Sequence, residues 1–196
     1  MIANAHHIPD PPDDAFWVFG YGSLMWRPGF EYSSRCKAQL HGYHRALCLL
    51  SCVYRGTVEL PGLVFGLDAG GSCVGRAFRV EKRHRLPVYD YLMEREMVRG
   101  AYYPRWLTVS TPAGRVTALC FVVNRRHEQY APGLSEREIV DRIRAARGRR
   151  GPNIDYILNT CEHLEELGIT CRQLTRIRDA LCEDAGGWAG LKRQRA

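Results

Sequence analysis

The sequence predicts an α+β protein in which a strand-rich first part forms a small antiparallel sheet or barrel and a helical second part follows it. Three observations predict this. Residues 16–80 carry short apolar and β-branched runs, residues 39–53 above all. At residues 81–99 the apolar spacing changes to one helix face. Beyond residue 134, three segments in succession carry helical spacing or capping signals. A length of 196 residues suits one well-buried core and is short for two ordinary domains. A composition of 45% hydrophobic and 25% charged residues is that of a soluble globular chain. A single domain over residues 16–185 is therefore expected, with an arm at 1–15 and a basic tail at 186–196.

The elements follow in order. The Pro- and Asp-rich stretch 8–14 reads as an extended arm, and the first strand is expected at 17–21. Strands at 39–53, 62–67 and 74–80 come next, the last two separated by a Gly70-Gly71 turn. In the helix over 81–99, Leu86, Tyr89, Leu92, Met93 and Met97 form one face, with Pro87 in the first turn. Glu96 falls in its last turns, and Glu94 projects from another side. A turn at 112–114 joins strands 103–110 and 116–123 into a hairpin. Ser135 followed by Glu138 is a capping-box pattern that opens a helix over 135–147, whose apolar side is Ile139, Val140 and Ile143. A helix over 153–167 carries Ile154, Ile157, Leu158, Cys161 and Leu164 and stops at Gly168. The last helix spans 170–182.

Charge and cysteine usage exclude several classes. The formal charge of +7 is concentrated in residues 142–150 and the tail. It reads either as a solvated face or as a funnel for an anionic small molecule, and no nucleic-acid partner is expected. The eight cysteines are scattered singly, without the CxxC or Cys/His clusters of a metal site. Cys48 and Cys52 lie in an apolar run, where a thiol is an inert core residue. No signal peptide precedes the first strand and no stretch is long enough to cross a bilayer, so a cytoplasmic protein with free thiols is expected.

The stretch Phe19-Gly20-Tyr21-Gly22-Ser23-Leu24-Met25-Trp26 runs from a strand into a glycine-flanked turn. Glycine frees such a turn to approach a ligand, and its amides can receive a carboxylate or oxyanion. An ordinary tight turn has the same composition. Neither GxGxxG nor GxxxxGK[ST] is present, so a phosphate cradle is not indicated. Ser23 lacks a GxSxG elbow, and His41 and His44 with a cysteine would make an unusual metal site.

The segment FGYGSLMWRPGF resembles the N-terminal signature of ChaC-like γ-glutamylcyclotransferases. Later blocks are similar in the same order: Tyr54-Arg55-Gly56-Thr57 with Pro61-Gly62, residues 75–80, Arg95-Glu96-Met97-Val98 with Gly100 and Tyr102, and Pro152-Asn153-Ile154-Asp155-Tyr156 with Asn159-Thr160 and His163-Leu164. The resemblance covers about residues 16–181. Ala101 departs from it where a glycine is expected, and Glu59-Leu60 alters the spacing before Pro61.

The resemblance implies a small mixed β-barrel flanked by helices, the γ-glutamylcyclotransferase-like fold, in a bacterial-type member of the glutathione-specific branch. It implies that Tyr21, Gly22, Ser23 and Leu24 hold the γ-glutamyl group and that Glu96 moves the protons. The chemistry fits: the substrate's α-amino nitrogen attacks its own side-chain carbonyl, closes a five-membered lactam and expels the amine. No cofactor, metal or protein nucleophile is required. The protein folds the substrate into the cyclising conformer and supplies one carboxylate that accepts and then returns a proton. Tyr91, Met93, Met97 and Tyr102 would give Glu96 an apolar setting, which raises a carboxylate's pKa. Without the resemblance, Glu96 reads as an exposed helix-face carboxylate paired with Arg95, Arg99 or a neighbouring segment. Arg55 is either a carboxylate clamp or a structural salt bridge, and Tyr102 and Tyr156 either bind substrate or fill the core. A monomer or weak homodimer acting on glutathione is the expectation. The alternatives are another γ-glutamyl amino acid or amine as substrate, or a non-catalytic cation-transport regulator on the same scaffold.

Overall fold

The computed structural model describes residues 8–183 and Trp188. The chain divides into two compact units: residues up to Ala46 together with Phe65–Tyr130, and Leu47–Val64 together with the residues from Ala131 onward.

The strands pair as a closed, mixed barrel in the order β1 (Phe16–Gly20), β3 (Gly62–Val80), β2 (Ser34–Ser51), β4 (Tyr102–Thr111) and β5 (Gly114–Val123). β1 runs antiparallel to β3, with Phe16 opposite Val80 and Gly20 opposite Arg76. It runs parallel to β5, with Trp17 opposite Ala118. β4 and β5 form the expected hairpin, in register from Tyr102↔Val123 to Thr111↔Gly114. Phe19, Phe78, Phe121, Met25, Leu40 and Leu119 are each less than 2% exposed. Each such side chain contributes about 1.5–3 kcal/mol by leaving water.

The helix α1 (Arg85–Glu96) follows a single 3-10 turn at Lys82–His84, and Pro87 sits in its first turn as expected. Its buried stripe is Val88, Tyr89, Leu92 and Arg95. Leu86, assigned to that face from sequence, is 47% exposed. Tyr89 and Leu92 are common to the expected and the observed face, while Val88 and Arg95 are buried in place of Leu86.

Residues 8–15 have no regular structure, yet their carbonyls are engaged. The Tyr89 hydroxyl donates to Pro9, the Trp106 indole to Asp10 at 3.1 Å and Arg85 Nη1 to Pro12 at 3.4 Å.

The second unit contains α2 (Glu136–Ala145), α3 (Asn153–Glu166), α4 (Arg172–Cys182) and a short antiparallel pair, β6 (Arg147–Gly148) with β7 (Gly151–Pro152). The α2 capping box forms as predicted: Ser135 Oγ accepts from the Glu138 amide, and the Glu138 carboxylate accepts from the Ser135 amide at 2.8 Å. α3 ends in a Schellman arrangement, with Gly168 at φ 63 and the Ile169 amide returning to Leu164 at 2.9 Å. Asn153 is fully buried and clamps Leu63, its amide group donating to the Leu63 carbonyl at 2.8 Å and its Oδ1 accepting from the Leu63 amide at 2.6 Å.

Other boundaries differ from expectation. The separate strands 62–67 and 74–80 are one strand, because pairing continues through Gly70 and Gly71 although both take positive φ. β2 begins five residues early, at Ser34, where exposed polar residues hide the strand signal. β6 and β7 escape the pattern because two-residue strands have no period. The expected tail at 186–196 lies outside the described residues except for Trp188, as do residues 1–7 of the arm.

Candidate active site

β1 ends at Gly20, and the chain turns at once into a 3-10 turn, Ser23–Met25. The Met25 amide donates to Gly22 at 2.9 Å, and the Arg27 amide returns to Ser23 at 2.8 Å. A turn of this kind spends its later amides on itself, so its first amides, those of Ser23 and Leu24, are the ones suited to an anion. The turn is clamped from below. The Tyr21 hydroxyl donates to the Phe121 carbonyl at 2.9 Å, Arg45 Nε to the Tyr21 carbonyl at 2.6 Å and Arg76 Nη1 to the Met25 carbonyl at 3.2 Å. Close approach also requires glycine at position 75, where a Cβ would stand 2.3 Å from the Gly20 carbonyl oxygen. Tyr21, Gly22 and Leu24 are buried and Ser23 is half-buried.

The end of α1 meets this turn through Arg95. Its side chain is 5% exposed and its guanidinium reaches five groups. Nη2 donates to Ser23 Oγ at 3.0 Å, and Nη1 to the carbonyls of Arg27 and Pro28 at 2.7 and 2.9 Å and to the Tyr91 hydroxyl at 3.0 Å. Nε lies 3.0 Å from Glu96 Oε1. The Glu96 side chain is 17% exposed, whereas Glu94 is exposed. The pairing of Glu96 with Arg95 thus exists as one sequence reading had it, but it is buried rather than on a solvated face.

Leu24 belongs to an apolar cluster with Val88, Tyr89, Leu92 and Phe121, against which Tyr91, Met93, Met97 and Tyr102 pack. The four residues expected around Glu96 thus all pack against the cluster to which Leu24 of the signature turn belongs. The Tyr102 hydroxyl donates to the Phe65 carbonyl at 2.9 Å, a structural bond within a half-buried position.

Arg55 and Tyr156 come together in the second unit, the guanidinium carbon 5.7 Å from the ring centre. Arg55 Nη1 also donates to the Pro152 carbonyl at 3.0 Å, and the Arg55 residue is 9% exposed. A tight turn supports the altered spacing before Pro61, the Thr57 amide donating to Leu60 at 3.0 Å.

Among the described residues, no three His, Cys, Asp or Glu side chains gather as ligands would. Cys120 is fully buried, and burial with Cys73 nearby pushes its thiol pKa up. Burial raises Cys161 to about 12. Arg95 is the residue that sequence reasoning missed. Its signal was its place seven residues after Val88, in line with the buried stripe.

The closed barrel with its helices is the γ-glutamylcyclotransferase fold. It aligns with the crystal structure of a gamma-glutamyl cyclotransferase specific to glutathione from yeast, with a TM-score of 0.78 and 20% identity, over 87% of this chain and 96% of that one. The chain belongs to the ChaC-like protein family, whose sequence model matches residues 16–182. It is 36% identical over 160 residues to the glutathione-specific gamma-glutamylcyclotransferase of Escherichia coli, covering 81% of this chain and 69% of that protein. It is 32% identical over 164 residues to human glutathione-specific gamma-glutamylcyclotransferase 1, covering 81% of this chain and 74% of that protein.

Proposed function

We propose that this protein is a glutathione-specific γ-glutamylcyclotransferase, a carbon–nitrogen lyase that converts glutathione to 5-oxoproline and cysteinylglycine. The observation that carries the site assignment is the Arg95 bridge. It ties the half-buried Glu96 carboxylate to Ser23 in the glycine-flanked turn, so that two sequence blocks 72 residues apart act as one site. The relatives named for the same activity support the substrate.

The turn of Tyr21, Gly22, Ser23 and Leu24 holds the γ-glutamyl group, its leading amides facing the α-carboxylate or the tetrahedral oxyanion. Glu96 takes a proton from the substrate α-ammonium. The freed nitrogen attacks the γ-carbonyl carbon, the carbon–nitrogen bond to cysteine breaks as Glu96 returns the proton to the departing nitrogen, and a second proton shed by the attacking nitrogen follows to the same product, leaving a lactam N–H and the cysteinylglycine ammonium. Atoms balance without water or an external nucleophile. Holding the chain in its cyclising conformer supplies the rest of the acceleration, since oriented intramolecular reactions reach effective molarities of about 10⁵–10⁸ M. Tyr102 shapes the apolar wall. The resemblance assigns Arg55 and Tyr156 to substrate binding as well, and the positive net charge suits a substrate that carries two carboxylates.

The catalytic domain is assigned to residues 16–185, supported by the family match to 16–182. Among the described residues no helix is long and apolar enough to cross a membrane. A thiol substrate and a cysteine-rich chain suit a reducing cytoplasm. A monomer or weak homodimer is the proposed assembly.

The test is 5-oxoproline release from glutathione by the purified wild type, Glu96→Gln and Glu94→Gln. Glu96→Gln is expected to lose about 10²- to 10⁴-fold in kcat, and Glu94→Gln to match wild type. Equal activity in all three would remove Glu96 from the chemistry. A folded wild type that releases 5-oxoproline from γ-glutamyl amino acids but not from glutathione would reassign the substrate.

A further inference from the structure

A buried guanidinium must find a partner for each of its faces, or its burial is costly. Arg95 finds five, and they divide into two groups. Ser23 Oγ and the carbonyls of Arg27 and Pro28 belong to the signature turn and the residues after it. Glu96 Oε1 and the Tyr91 hydroxyl belong to α1. We infer that Arg95 is a positioning residue that locks residues 23–28 and the Glu96 carboxylate into one frame.

Two physical points support this. Glu96 is the last residue of α1, where the helix dipole disfavours a carboxylate, and a cation in the same turn offsets that field. The planar fork is also the only basic side chain that serves a hydroxyl, two carbonyls and a carboxylate in fixed directions; lysine offers one nitrogen.

The orientation of Glu96 for catalysis rests on the proposed activity, whereas the frame does not, and two measurements separate them. The first is hydrogen exchange of peptides covering residues 22–28 in wild type, Arg95→Lys and Ser23→Ala. Exchange there is expected to speed up in both variants while the β4–β5 hairpin stays protected. Unchanged exchange in the turn overturns the frame, whatever the substrate. Ser23→Ala leaves the arginine in place and reads the frame even if Arg95→Lys does not fold.

The second is a kinetic cycle on glutathione. Arg95→Lys is expected to lower kcat by about 10²-fold, the cost of a misplaced catalytic group, with KM changed far less. In a Glu96→Gln background the same substitution is expected to cost little more, because the carboxylate it orients is gone. An equal loss in both backgrounds, or wild-type kcat in Arg95→Lys, overturns the positioning role. Absence of glutathione turnover in the wild type would instead strike the proposed substrate, leaving the exchange result to decide the frame.

Discussion

Asp68 shows how one side chain can be read through its neighbours. It is 7% exposed, and burial alone would raise its pKa. Arg125 Nε at 2.5 Å, the Tyr130 hydroxyl at 2.8 Å and the Ala69 amide at 2.9 Å outweigh burial and hold the carboxyl below its ordinary value of 3.8. A carboxyl whose folded pKa lies below its unfolded value stabilises the fold while ionised. Its contribution is complete above about pH 4 and is lost as pH falls through the lower folded value. Thermal unfolding of wild type and Asp68→Asn between pH 6 and pH 2 tests this. The variant is expected to be less stable at pH 6, and the gap should close in acid. A constant gap would mean that Asp68 acts through shape and hydrogen bonding alone. Glu96 and Arg95 differ in legibility at the same scale. Glu96 was legible through the block it sits in. The role of Arg95 was not, because an arginine beside a glutamate on a helix looks like a solvated pair until the helix face is known.

Elements whose ends carry their own chemistry were legible, and those defined by pairing alone were not. Ser135 with Glu138 announces the start of α2, Gly168 the end of α3, and the residues around Pro112 a hairpin turn, since each local signal satisfies backbone groups that would otherwise lack partners. β2 starts in Ser34, Arg35 and Lys37, which are exposed and become a strand only because a neighbouring strand is there to pair with. The same logic explains why Gly70 and Gly71 do not interrupt β3. The capping box gives the element-scale prediction. Ser135→Ala removes the acceptor for the Glu138 amide and is expected to cost about 1 kcal/mol, seen as a fall in Tm of about 2–4 °C. Ser135→Asp, which keeps an acceptor at the start of the helix, should recover most of it. Equal losses in both variants would show that the hydroxyl matters for something other than capping.

At the scale of the whole molecule, a barrel differs from an open sheet in having no edge to fray. β1 lies between an antiparallel and a parallel neighbour, and β5 pairs with β4, β1 and β3. The interior should therefore open only when the barrel does. Cys120 reports on this, because it sits in β5 with no exposure and its thiol pKa is raised by burial. Only a thiolate reacts with a disulfide reagent, so burial and the raised pKa both slow labelling while the barrel is closed. In native buffer the half-buried Cys52 and Cys171 are expected to label well before Cys120. The Cys120 rate should then rise with urea in step with the loss of far-ultraviolet circular dichroism, as expected when only global opening exposes it. Peptide mapping after timed labelling reads each cysteine separately. If Cys120 labels in native buffer as fast as Cys171, the strands around β5 open locally, and closure of the barrel could no longer explain a rigid base beneath the turn at Tyr21.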